Sequence, residues 1–143
     1  MAASHLLPVL LLGTAVAALM TSAQPITAPL PPFYLPVTRN GRIYENAVDA
    51  AVLSYNYNSY DQSMPTFVET SVVGVFRMVV PGIYGASATV NYRVILIGHL
   101  SHRGQQAMGS AVRLLIRFAI LANRPINVPN VIPDTFSAMF LPD

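Results

Sequence analysis

The chain has 143 residues, of which 53% are hydrophobic and 10% charged, and its formal net charge is +2. This composition excludes an intrinsically disordered chain and suits one domain. The absence of cysteine excludes disulfides, a thiol nucleophile and a thiolate metal site.

Residues 1–23 have the pattern of a signal peptide. An apolar run over residues 6–20 is followed by Thr21, Ser22 and Ala23, and the bond between Ala23 and Gln24 suits cleavage. The run is short for a membrane span and is interrupted by Pro and Gly. We therefore expect a secreted, extracellular protein, with a retained membrane anchor as the alternative.

Residues 24–40 form a proline-rich arm, with five prolines between Pro25 and Pro36. Because proline fixes φ and removes an amide donor, this arm should be extended. It is either a linker or an arm that lies in a partner's groove, and we take a linker as the default.

Residues 41–98 predict a helix followed by a β-hairpin. The helix should run from Tyr44 to Tyr60, because apolar residues recur there at helical spacing. This stripe consists of Tyr44, Ala47, Val48, Ala51 and Tyr55. The following residues predict strands over 66–80 and 87–97, joined at a turn marked by Pro81, Gly82 and Gly85. In the first strand we expect one shared face for Val68, Val72, Phe76, Met78 and Val80.

The remaining chain is less regular. Residues 99–109 should be a loop, and residues 110–143 an amphipathic segment with a proline-rich tail. Within it, residues 110–123 alternate as in a strand, whereas Arg113 and Arg117 have helical spacing. We favour a second, C-terminal helix there and keep a strand as the alternative. Pro125, Pro129 and Pro133 indicate an extended tail.

Charge is arranged unevenly, because all eight basic residues are arginines and no acidic residue lies between Arg77 and Arg124. Such a segment could bind anionic partners such as acidic glycans or mineral. The candidate residues are Arg77, Arg93, Arg113, Arg117 and Arg124. Because they are spaced rather than clustered, the simpler interpretation is favoured, in which they form the solvated face of strands.

Enzymatic chemistry has little support in the sequence. His99 and His102 have no acidic residue near them in sequence, and two histidines alone make a weak metal site. Ser101 beside His102 lacks a carboxylate to orient the base. We therefore expect no enzyme, no catalytic residue, no metal and no cofactor. No nucleic-acid-binding motif is present either, and the leader directs the chain away from that compartment.

An ordered set of short matches resembles the latexin family, which also contains the tazarotene-responsive and ovocalyxin proteins. The set begins with Ala50-Ala51, Asn56-Tyr57, Tyr60, Gln62 and Pro65 and continues with Val80-Pro81-Gly82, Tyr92-Arg93, Ile132-Pro133-Asp134 and Phe136. This resemblance implies a cystatin-like α+β fold, an antiparallel sheet wrapped on one N-terminal helix. Because the chain has room for one of the family's two subdomains, we expect the sheet to be incomplete.

The resemblance also implies a function, namely inhibition of metallocarboxypeptidases. We take the turn of Pro81, Gly82, Ile83 and Tyr84 as the candidate interaction site, because binding groups concentrate in loops. Inhibition of cysteine proteases is disfavoured, since Thr70-Ser71-Val72-Val73-Gly74 lacks the glutamine of the cystatin motif Gln-x-Val-x-Gly, and the chain has no tryptophan.

Two alternatives stay open. One is an extracellular or eggshell matrix component that binds anionic polymer or mineral through its arginines. The other is a cathelicidin-like host-defence precursor, in which residues 110–124 would form a cationic amphipathic helix. In addition, a sheet with an exposed edge would favour self-association.

Overall fold

The computed structural model describes residues 33–61, 64–102 and 109–143. The predicted signal peptide and most of the proline-rich arm therefore lie outside the described residues. The strands are β1 (Leu35–Pro36), β2 (Thr66–Val80), β3 (Thr89–Ser101), β4 (Val112–Leu121) and β5 (Ser137–Leu141), and the helix α1 is Arg42–Asp61. Among these residues no helix is both long and apolar enough to cross a membrane.

Helix α1 confirms the amphipathic stripe predicted from the sequence. Ala47, Val48, Ala51 and Tyr55 are buried, and Tyr44 is partly buried against the same core. Asn40 precedes the helix with φ 62°, a conformation that asparagine tolerates better than most residues. The helix is two residues longer at its start than predicted, because it begins at Arg42.

The strands form a single antiparallel sheet in the order β1-β2-β3-β4-β5, so each strand pairs with its neighbour in sequence. One face of the sheet packs against α1. Its buried side chains are Phe67, Val75, Tyr92, Val94, Leu96, Leu114, Ile116, Phe118 and Ile120. We call this the helix face and the opposite side the outer face. The described part is thus an α+β unit of one helix on one five-stranded antiparallel sheet.

The predicted C-terminal helix over residues 110–123 is wrong, since most of this segment is strand β4. Strand β4 lies between β3 and β5, and Leu115 and Ala119 on its outer face are buried in addition to the side chains of its helix face, whereas Arg113 and Arg117 are exposed. A strand covered on both sides reads as a near-continuous apolar run, which periodicity alone does not distinguish from a buried helix. Arg113 and Arg117 have the same parity and therefore share the outer face of the strand.

The predicted shared face of β2 is also wrong. Phe67 and Val75 are buried, whereas Val68 is 49% exposed. Register shifts between Glu69 and Ser71 and between Val72 and Gly74 each interrupt the pairing with β3. Because a bulge changes which parity faces the core, Val72 packs against the core while Phe76 and Met78 lie on the outer face.

The tail is more ordered than its prolines suggested. Two short 3-10 helices, Val128–Asn130 and Pro133–Thr135, carry the chain back to the sheet, where β5 pairs with β4. The Ile132 amide donates to the carbonyl of Ala119, and the Ala119 amide donates to Oγ1 of Thr135. The sheet therefore gains a fifth strand that was not predicted. The predicted loop over 99–109 is shortened, because β3 continues to Ser101, and residues 103–108 lie outside the described residues.

Candidate interaction site

The connection between β2 and β3 is an exposed hairpin with an apolar tip. Ile83 is 69% exposed and Tyr84 is fully exposed. The amide of Ala86 donates to the carbonyl of Ile83 at 3.1 Å, and Tyr84 and Gly85 both have left-handed φ values of 54° and 82°. Adjacent exposed apolar side chains that form a patch mark candidate interaction surfaces, and Ile83 and Tyr84 are neighbours at this tip. The four residues chosen from the sequence, Pro81 to Tyr84, thus lie together and all face solvent.

Gly82 sets the shape of this hairpin. A Cβ atom at this position would lie 1.7 Å from the carbonyl oxygen of Ala86. Any other residue would push the two arms of the hairpin apart. The sequence therefore holds Ile83 and Tyr84 at the tip of a tight hairpin.

Three segments meet at the end of the sheet that carries this hairpin. The turn after β4 is joined to it, because the Ala122 amide donates to the carbonyl of Ala88 at 2.8 Å. The antiparallel pairing of β1 with Phe76 and Arg77 directs the chain before Leu35 toward the same end. There Phe33 is also largely exposed. Sequence reasoning missed Phe33, because the arm gave no sign that it pairs with β2.

The segment Thr70 to Gly74, which was compared with the cystatin motif, lies in the middle of β2. It spans the two register shifts with β3 and is distant from the hairpin tip in sequence. This position within a strand, together with the missing glutamine, argues against a role for the segment as an inhibitory loop.

The structure brings together three of the five candidate arginines. Arg93 and Arg117 are direct register partners on the outer face, and Arg113 lies on the same face of β4. Arg77 lies on the helix face opposite Tyr92, and Arg124 lies in the turn after β4. Like charges directly opposite each other destabilise a sheet. Part of this charge is offset by Tyr34, whose ring centroid lies 3.8 Å from Cζ of Arg93.

The titratable side chains are the remaining candidates for a site in the part of the chain that the structure describes. No group of three His, Cys, Asp or Glu side chains there is placed to hold a metal ion. Nδ1 of His99 donates to the carbonyl of Gly109 at 3.2 Å. Burial raises the pKa of Glu69, and the nearby charge of Asp49 raises it further. Burial also raises the pKa of Tyr92, against the opposing effect of Arg77.

Comparisons with protein-family models, with curated proteins and with solved structures find no match to this chain.

Proposed function

We propose that this chain is a secreted, non-enzymatic protein with a latexin-like, cystatin-like fold that inhibits a metallocarboxypeptidase by covering its cleft. The ordered matches from Ala50 to Phe136 support the family, and a helix followed by an antiparallel meander agrees with the fold that the family implies. The protease class is taken from the resemblance.

The observation that carries the proposal is the exposed apolar hairpin tip of Ile83 and Tyr84. Exposing a tyrosine completely at a tight turn has no benefit for the core, because the side chain buries nothing there. Tyrosine is enriched among residues that dominate binding energy, since it combines a large apolar area with a polar tip. We infer that this tip inserts into the partner and that Phe33 and the turn after β4 flank the contact.

The test is a titration of the purified protein into a metallocarboxypeptidase A assay, after circular dichroism has shown a folded sample. We expect stoichiometric inhibition at sub-micromolar concentration. Tyr84→Ala should weaken inhibition by about 30-fold, equivalent to about 2 kcal/mol for a residue that dominates an interface.

Tyr57→Ala is the matched control, because Tyr57 is also an exposed tyrosine but lies on α1. It should inhibit like the wild-type protein. Absence of inhibition by a folded sample would refute the inhibitor proposal. Equal effects of the two substitutions would refute the assignment of the hairpin as the contact.

A second candidate function, binding of an anionic matrix polymer, is favoured by the placement of Arg93, Arg113 and Arg117 on one face. In the sheet register Arg93 and Arg117 are partners, and the other partners of the three arginines are Phe76, Ile97, Ser137 and Leu141, none of which is acidic. An anionic polymer lying across this face would relieve the repulsion between Arg93 and Arg117.

Elution from a dextran sulfate column tests this candidate. Replacing Arg93, Arg113 and Arg117 with glutamine should lower the salt concentration at which the protein elutes. Replacing Arg42, Arg77 and Arg124 with glutamine removes the same charge from other places and should lower it less. Equal elution of the two triple variants would show that net charge alone determines binding.

A further inference from the structure

A groove of about 660 Å³ opens between the C-terminal half of α1 and the β4–β5 part of the sheet. Its walls are largely apolar, and the apolar lining residues include Met64, Leu114, Val131, Phe136 and Phe140. Small-molecule sites in proteins typically measure ~300–1,000 Å³ and combine apolar walls with a few polar groups. The groove therefore has the size and lining of a ligand site.

Two hydroxyl groups of α1 in this region have no hydrogen-bond partner among the described residues. They are Oγ of Ser54 and the OH of Tyr55, and both residues line the groove. Ser54 is 4% exposed and Tyr55 is 7% exposed, and both oxygens are shielded from bulk water. Buried hydroxyls in native proteins are normally hydrogen-bonded, so this pair calls for a partner. A ligand oxygen would supply one if, on entering the groove, it displaced the side chains that cover these two oxygens.

The charge of the lining selects the class of ligand. The described residues that line the groove include hydroxyl and amide groups but no Arg, Lys, His, Asp or Glu. A carboxylate or ammonium group entering it would lose its hydration without gaining an ion pair from these described residues. A hydroxyl group can both donate to and accept from Ser54 and Tyr55.

We propose that this groove binds a neutral, lipid-like molecule with an apolar body and a terminal hydroxyl group. The apolar body lies against Leu114, Val131 and Phe136, and the hydroxyl group reaches Ser54 and Tyr55. This site is separate from the hairpin tip and does not depend on the inhibitor proposal. The competing possibility is that an apolar side chain of a protein partner fills the groove. Such a side chain would offer no hydrogen bond to Ser54 or Tyr55.

The first experiment titrates 1-decanol and decanoate into the isotopically labelled full chain, with binding followed by amide chemical shifts. We expect saturable binding of 1-decanol, with shifts at residues 54–59 and 136–140 and none at 81–87. Decanoate should bind at least about tenfold more weakly, because its charge finds no partner among the described lining residues. No saturable shift with 1-decanol, or equal binding of decanoate, would overturn the proposal.

Two sets of variants localise the site. Ala138→Trp fills the groove and should abolish binding, whereas Ala122→Trp introduces the same side chain in an exposed turn and should not change it. Tyr55→Phe combined with Ser54→Ala removes the hydroxyl pair and should weaken 1-decanol about threefold to tenfold, as expected for lost hydrogen bonds.

If Ala138→Trp fails to fold, the amide chemical-shift changes that 1-decanol causes in the unmodified protein still locate the binding site. Shifts confined to other surfaces would refute the groove as the site. Binding of 1-decanol that is unchanged by loss of both hydroxyls would refute the chemistry proposed and favour an apolar group as the natural occupant.

Discussion

At the scale of single residues, the hydroxyls of Ser54 and Tyr55 have no hydrogen-bond partner among the described residues, which predicts a gain in stability on their removal. Tyr55→Phe should raise the free energy of unfolding by about 1 kcal/mol, because a buried polar group without a partner is costly. Chemical denaturation would measure this. Tyr57→Phe is the control, since Tyr57 is exposed and should show no change. A loss of stability in Tyr55→Phe would show that the hydroxyl is bonded in solution.

Glu69 predicts a pH-dependent stability. Burial and the charge of Asp49 raise its folded-state pKa above 4.5, so the folded state binds the proton more tightly than the unfolded state. This group therefore lowers stability as pH rises from about 4.5 through the folded-state pKa. Glu69→Gln should raise Tm at pH 7 and leave it nearly unchanged at pH 3.5. A rise of equal size at both pH values would contradict the prediction.

At the scale of elements, one side chain joins α1 to the edge of the sheet. Asn56 accepts from the Phe67 amide at 2.7 Å and donates to the Phe67 carbonyl at 3.0 Å. It thereby satisfies the backbone of β2 on the edge that faces away from β3, where no strand of the described residues pairs with Phe67. Asn56→Ala leaves both groups unpartnered, and we expect a loss of about 2–3 kcal/mol in the free energy of unfolding.

Asn58→Ala is the matched control for this substitution. Asn58 makes one bond, to the carbonyl of Ser54 within its own helix, and it is exposed. We expect a change below about 0.5 kcal/mol, as for most surface substitutions. Equal losses in the two variants, measured by urea denaturation, would show that Asn56 does not hold α1 on β2.

At the scale of the whole molecule, the two sheet edges differ. Strand β2 is interrupted by register shifts and is partly covered by β1 and Asn56, features that discourage pairing with another chain. Strand β5 is short, and its other side pairs with no strand among the described residues. We expect weak, concentration-dependent association through β5.

Analytical ultracentrifugation of Met139→Lys tests this expectation. A lysine on an edge strand opposes strand pairing, and we expect the dimer dissociation constant to rise about tenfold. Val68→Lys is the control, because Val68 and Met139 are each 49% exposed but Val68 lies on the protected edge. Equal effects of both substitutions, or a monomer at every concentration, would contradict association through β5.

The sequence by itself determined the local structure of the first half of the fold. Helical spacing from Tyr44 to Tyr55 predicted α1 and its buried side, and Pro81, Gly82 and Gly85 predicted the hairpin turn. These features depend on neighbouring residues, so periodicity and turn chemistry are sufficient to find them. Ile83 and Tyr84 lie in that turn, and their role as an interaction site, which rests on the concentration of binding groups in loops, stays a prediction.

Only the tertiary structure decided the rest. Strand β4 owes its conformation to pairing with strands on both sides, and the bulges in β2 decide which of its side chains contact α1. The spacing of apolar residues along the chain predicts neither effect. The arginines separate into a face of three and two others because register places Arg93 opposite Arg117. The groove has the same origin, since it forms where α1, β4, β5 and the segment between the two strands meet.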